Sequence, residues 1–349
     1  MNEHSISDPS VYSALAATLP SWYAGAARDL PWRRDRDPYR VWISEIMLQQ
    51  TRVEAVRGYY ARFLEALPDV RALAEADGET LMKLWEGLGY YSRARNLQKA
   101  ARVILEKHGG VFPREFEAIR ALPGVGEYTA GAIGSICFGL PTPAVDGNVL
   151  RVCARVTGSA DCVDSPKVKA AVRDALARVY PRRDCCTFTQ ALMELGATVC
   201  TPRAMRCELC PMRGNCRAIA EGTAASLPVR AEKKAKRVQK RTVFLFYCAQ
   251  ALALEKRPET GLLAGLWQLP NEEGTLSMDD AFARAEALGL RPLRPLWTKE
   301  RVHIFTHIRW EMTGHAIACA FPGGDFVWAD REALKGQYAL PTAFRVFLD

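Results

Sequence analysis

The chain has 349 residues, 49% of them hydrophobic and 25% charged, a globular composition that excludes a disordered or low-complexity protein and allows two or three domains. Its net charge of +8 favours a polyanionic partner, and its 11 cysteines, an odd number scattered over a long chain, exclude a secreted disulfide framework. The opening MNEHSISDPS is polar where a signal core would be apolar, and no apolar run reaches the length of a membrane span, so the expectation is no membrane partner and a reducing, cytoplasmic compartment.

From residue 9 to about 220, apolar residues recur at spacings of three and four, which reads as helix. The pattern predicts helices from Val11 to Ala27, after Pro38, from Val53 to Ala66, and from an N-cap at Ser92 to the Gly109–Gly110 pair. The second of these carries VWISEIMLQQT. There Val41, Trp42, Ile43, Ile46, Met47 and Leu48 cover most of the helix circumference and leave Glu45 little exposed face. Such surroundings push a carboxyl towards a raised pKa, as a general acid working near neutral pH requires.

Next comes LPGVGEYTAGAI, residues 122–133. Gly124, Val125 and Gly126 form a tight turn between helical segments, and the N–H groups of such a turn can bind a phosphate. Glu127 suits a phosphate poorly and is expected to point away. In PAVDGNVLRVCARV, Asp146 precedes an amphipathic helix. Aspartate is a preferred N-cap, and the same carboxylate can face a developing positive charge. Two carboxylates flanking a sugar bond are the equipment of glycoside cleavage through an oxocarbenium-like state. A basic helical scaffold with a phosphate-binding turn suggests that the sugar is deoxyribose.

Cys200, Cys207, Cys210 and Cys216 follow, spaced C-x6-C-x2-C-x5-C. Thiolates gathered on so short a loop share a metal centre, and the spacing alone leaves zinc and an iron–sulfur cluster both open. Residues 229–241 read VRAEKKAKRVQKR, seven basic residues and one acid without an apolar stripe, hence a linker or surface arm. From residue 242 the β-branched and aromatic run TVFLFYCAQALAL, then GLWQLP and HIFTHIRWEM, predict strands, with a helix near Asp279 to Leu288 and another closing the chain.

The hairpin LPGVGEYTAGAI, the downstream VDGN and the cysteine spacing together resemble the helix-hairpin-helix DNA glycosylases of the endonuclease III superfamily. Within it, LPWR, VWISEIMLQQT and GLGYYSRARNL are similar to the adenine DNA glycosylase family (A/G-specific), which removes adenine mispaired with 8-oxoguanine. The likeness covers roughly residues 12–220, with five motifs in order. It implies one 4Fe–4S cluster on the four cysteines and double-stranded DNA carrying 8-oxoguanine:adenine or guanine:adenine pairs as partner. It also implies a monomer associated with the nucleoid if the source is bacterial. The implied fold is an all-α helix-hairpin-helix glycosylase core over residues 1–228. Two subdomains flank its cleft, and the cluster loop spans 200–216. A basic linker, 229–241, leads to an α+β Nudix-like domain, 242–349, that closes over the opposite face of a bent duplex.

The same resemblance implies residue roles. Glu45 protonates N7 of adenine and then helps activate water. Asp146 stabilises an oxocarbenium ion or a covalent sugar intermediate, and Tyr128 and Asn148 line the same pocket. Trp32, Arg33 and Gln190 hold the flipped base, extruded because its reactive atoms are buried in a duplex. Gln50, Thr51 and Tyr90 probe the opposite strand, with Tyr90 as a wedge. Gly124, Val125, Gly126, Arg203 and Arg206 contact phosphates. Bifunctional relatives place a lysine where this chain has Tyr128; a phenol cannot form an imine, so a monofunctional enzyme is expected. In the C-terminal part, MDDAFARAEALGL lacks the glutamate-rich core of a Nudix box, so pyrophosphohydrolysis is not expected. Phe305-Thr306-His307 stands where the family typically reads 8-oxoguanine through Phe-Ser-His. The competing expectations are an oxidised-pyrimidine glycosylase of the endonuclease III type and a non-catalytic iron–sulfur DNA-binding protein. The second has no use for Glu45 within an apolar helix.

Overall fold

The computed structural model describes residues 5–232 and 235–348. They form two compact units, residues 5–75 with 96–232, and 76–95 with 235–348.

The first unit is helical. Its opening helix, Pro9–Ala26, starts on Asp8, whose carboxylate accepts from the Ser10 N–H. Tyr12, Leu15 and Leu19 recur on one face, as helical periodicity requires, and pack on Val152 and Val156 of helix Gly147–Thr157 and on Phe188 and Leu192 of helix Cys185–Glu194. Asp37 caps helix Pro38–Leu48, which meets the hairpin helix Glu127–Phe138 through Val41, Ala132 and Ile136. The helices expected over 53–66 and after Tyr91 run Val53–Ala66 and Ser92–His108; Ser92 is the first residue of its helix and not the cap before it.

Two close approaches fix the geometry near the cleft. A Cβ on Gly131 would lie 2.3 Å from the Pro143 carbonyl oxygen, so the hairpin helix packs directly on the segment that leads to Asp146. A Cβ on Gly196 would lie 2.7 Å from the Asn148 Cβ. Gly196 belongs to a π-helical turn, Leu195–Val199, that continues helix Cys185–Glu194 into Cys200. Such turns recur at functional sites.

The second unit is a mixed sheet with helices. Its strands are β1 (Arg237–Cys248), β2 (Ala251–Lys256), β3 (Trp267–Gln268), β4 (Asn271–Glu273), β5 (Pro292–Ile304), β6 (Ile308–Cys319) and β7 (Val327–Ala329). The order is β3-β2-β1-β6-β5, with β4 on β1 and β7 on β2. β1 and β6 are parallel, whereas β5 and β6 form an antiparallel hairpin in which Ile304 faces Arg309. Alternation along β1 puts Val243 and Leu245 in one core with Trp310 and Phe344, and Phe244 and Phe246 in another with Ala281 and Ala285 of helix Met278–Ala287. Two corrections to the sequence-based outline follow. β1 begins at Arg237 and pairs with Ile308 onward, so the last five residues of the expected linker are strand. Residues 76–95 pack with the C-terminal unit, although they lie within the run of sequence read as glycosylase core.

Candidate active site

A cavity of about 660 Å³ opens in the first unit. It falls within the roughly 300–1,000 Å³ of ordinary small-molecule sites. Trp32, Arg33, Glu45, Gln50, Thr51, Gly126, Tyr128, Asp146, Asn148 and Gln190 all line it. Ten residues predicted from separated motifs thus meet at one place.

Glu45 is buried, at 7% exposure. Loss of hydration pushes its carboxyl up to about 7; the Tyr128 hydrogen bond and Arg33 pull the other way, and nearby Asp146 adds to the rise. Tyr128 donates its hydroxyl to Glu45 Oε2 at 2.8 Å. Burial, followed by the charges of Glu45 and Asp146, holds the phenol well above its ordinary range, so it stays a donor. Asp146 is the N-cap of helix Gly147–Thr157, and both its oxygens are engaged. Oδ1 accepts from the Asn148 and Val149 N–H groups at 2.9 and 2.8 Å, and Oδ2 from Asn148 Nδ2 at 2.7 Å. Asn148 Oδ1 in turn accepts from Arg151 at 2.8 Å, and Arg151 donates to the carbonyls of Gly196 and Cys200, each at 2.8 Å. A chain of hydrogen bonds therefore runs from the Asp146 carboxylate to the first of the four cysteines.

Sequence reasoning missed the ion pairs behind the cavity. Glu194 has no exposed surface and binds Arg28 through both oxygens, at 2.6 and 3.0 Å, and Arg33 at 2.7 Å. Burial would raise its carboxyl, but the two arginines outweigh this and hold it below the usual carboxylate range. Arg33 Nη1 is buried and has no hydrogen-bond partner among the described residues. An unpaired donor of this kind costs stability, and a ligand acceptor would offset the loss. A signal was available: Gln190 and Glu194 are four apart in FTQALMELG, and so share a helix face. Glu127 lines the cavity and pairs with Arg173 at 2.5 Å.

Four predicted residues lie elsewhere, in the second unit. Phe305, Thr306 and His307 form the tip of the β5–β6 hairpin and line a cavity of about 460 Å³ with Tyr90. Phe305 packs edge-on against Trp310 and His303, at ring-centroid separations of 4.9 and 4.5 Å. Thr306 and His307 are exposed. The Tyr90 hydroxyl is 3.2 Å from Thr306 Oγ1, and Tyr90 itself is 45% exposed with a left-handed φ of 47°. A bulky residue held there marks stored strain, and such strain gathers at functional sites.

Gly124 has φ +75°, and a Cβ there would lie 2.6 Å from that of Asn96, so this turn position admits only glycine. Val125 closes the turn through its N–H to the Leu122 carbonyl at 3.0 Å, and Gly126 precedes the hairpin helix without a side-chain cap. The four cysteines line one cavity, whose other walls are mainly apolar, with Arg155 Nη1 3.4 Å from Cys200 Sγ. No carboxylate or imidazole lines that space. Four thiols with no carboxylate or imidazole among them are a donor set that suits a thiolate-held metal centre, and Arg203 and Arg206 lie on the loop they define.

Comparison with known proteins gives concordant results. Residues 43–178 match the model of the HhH-GPD superfamily base excision DNA repair proteins, and residues 242–349 match the NUDIX domain model. The chain is 34% identical to the adenine DNA glycosylase of Rattus norvegicus over 99% of its own length and 80% of the relative's. It is 37% identical to that of Homo sapiens, over 90% and 69%. Among solved structures it is similar to a thermostable thymine-DNA glycosylase, with TM-score 0.56 and 30% identity, over 61% of this chain and 98% of that one. A non-covalent endonuclease III–DNA complex gives TM-score 0.51 and 25% identity, over 58% and 92%.

Proposed function

Because the chain belongs to the adenine DNA glycosylase family, and is a DNA glycosylase of base excision repair, we propose that it hydrolyses the N-glycosidic bond of adenine paired with 8-oxoguanine or guanine. The observation that carries this reading is the Glu45 carboxyl: buried, held by Tyr128, with its pKa near 7, in the same cavity as Asp146.

At neutral pH a large share of Glu45 is protonated. It donates that proton to N7 of a flipped adenine as the C1′–N9 bond breaks and its electrons pass to the base. The sugar becomes oxocarbenium-like, and the Asp146 carboxylate faces the positive charge. Its three accepted hydrogen bonds fix the carboxylate beforehand, so little reorganisation is needed when the charge appears. Glu45, now ionised, takes a proton from the water that attacks C1′. Trp32, Arg33 and Gln190 hold the base, while Gln50, Thr51 and Tyr90 meet the opposite strand. Phe305, Thr306 and His307 read the oxidised guanine.

Cys200, Cys207, Cys210 and Cys216 would hold one 4Fe–4S cluster, as the family implies and the all-thiol donor set suits. When bound, the cluster fixes the 200–216 loop, and with it the placement of Arg203 and Arg206 towards phosphates. The enzyme acts as a monomer in the cytoplasm.

Tyr128 supplies the sharpest test of the chemistry. Borohydride added during turnover on an 8-oxoguanine:adenine duplex is expected to trap no protein–DNA adduct, with strand breaks only after alkali. A robust adduct would require an amine nucleophile and would overturn the monofunctional reading.

A further inference from the structure

We propose that Tyr23 sets the polarity of the base pocket: by donating its hydroxyl hydrogen to Gln190 it leaves only the NH₂ end of that amide for a bound base, so the pocket selects a purine whose N1 is unprotonated. This inference rests on the reading that the cavity receives a flipped adenine.

The contact joins residues far apart in sequence. Tyr23, near the end of helix Pro9–Ala26, reaches Gln190 Oε1 at 2.5 Å, and both side chains are buried. Burial raises the pKa of the phenol, which therefore keeps its proton across the working range. The Arg33 guanidinium stands over the Tyr23 ring, 5.7 Å from its centroid, and is itself tied to Glu194, so the ring is held on that face. A primary amide has one oxygen acceptor and two N–H donors. Tyr23 occupies the acceptor, and one donor lies 3.4 Å from Cys186 Sγ. What remains is a donor, in a cavity wall that also carries Arg33. At the N1–C6 edge adenine presents an acceptor, N1, beside a donor, its N6 amino group, and hypoxanthine presents the reverse, N1–H beside the acceptor O6. With N1 seated on the remaining Gln190 donor, hypoxanthine would set N–H against N–H there. A buried donor left unpaired in this way is what lets a polar site reject a near-isostere.

The test is single-turnover release of adenine and of hypoxanthine, each opposite 8-oxoguanine, by the full chain and by two variants. Tyr23→Phe keeps the ring but lets the amide rotate by half a turn. The preference for adenine is expected to narrow by about tenfold or more, with the hypoxanthine rate rising relative to adenine. Gln190→Glu keeps Tyr23 donating to one oxygen and turns the other, an acceptor, to the base; the preference is expected to reverse in direction. Should Tyr23→Phe slow both bases by one factor, or Gln190→Glu leave the preference unchanged, the inference is wrong and Tyr23 merely packs. If the unaltered chain releases no adenine, the proposed function itself fails. Adenine release with a preference that neither variant moves removes only the claim about Tyr23.

Discussion

At the scale of single residues, Glu45 was legible because its neighbours in sequence are also its neighbours in space: a helix turn apolar around most of its circumference is buried, and burial is the main cause of the upward pKa shift. Asp146 was legible for the same reason, since a cap is a local device. Tyr23 and Arg28 were not, because their contacts close over 167 and 166 positions of sequence, and for Glu194 the only local signal was its place four residues after Gln190 on one helix face. The Glu45 shift has a stability consequence whose sign is definite. The folded form binds this proton more tightly than the unfolded chain does, so Glu45 costs stability as pH rises from about 4.5, the unfolded value, to about 7. Glu45→Gln removes that dependence. Its melting temperature is expected to fall less than the parent's between pH 5 and pH 8, while adenine release drops by about three orders of magnitude and DNA binding persists. A parallel fall in the two melting curves would show that the carboxyl is not held in a desolvated site.

At the scale of elements, helix positions followed the apolar periodicity to within one or two residues, as for Val53–Ala66 and Met278–Ala287. The strand that takes over the basic run was missed. Charge dominates RVQKR in sequence, whereas in the sheet the strand that it opens pairs with β6 from Arg237 to Tyr247, and Arg237 and Lys240 stay exposed. The packing of hairpin helix on the Asp146 segment is also invisible to composition, and it depends on a missing side chain. Gly131→Ala puts a methyl 2.3 Å from a carbonyl oxygen, and backbone must move to admit it. The expected cost is about 1–3 kcal/mol, read as a lowered melting temperature together with slower base release, because the displaced segment carries Asp146. Gly126→Ala is the control, since nothing lies within 4 Å of its added carbon and its φ of −93° suits any residue. Equal melting temperatures for the two variants would contradict the packing argument.

At the scale of the whole molecule, two compact units account for the two matched families, yet the boundary between them is not a single point in the sequence. The HhH-GPD match runs through residues 76–95 without interruption, whereas in space this segment belongs with the C-terminal unit. Lys83 donates to the carbonyls of Leu334 and Tyr338, Glu86 accepts from the Leu340 N–H, and Arg95 donates to the Ala264 carbonyl. Polar contacts between distant stretches leave no periodic trace, which is why a reading by motif did not show that Tyr90 and Thr306 line one cavity. The measurement that tests the account most directly is single-turnover base release at one salt concentration from three duplexes. These carry adenine opposite 8-oxoguanine, adenine opposite guanine, and thymine glycol opposite adenine. Fast adenine release opposite 8-oxoguanine, slower release opposite guanine and none of thymine glycol is the predicted result; thymine glycol release with spontaneous nicking, or no release from any duplex, would contradict it.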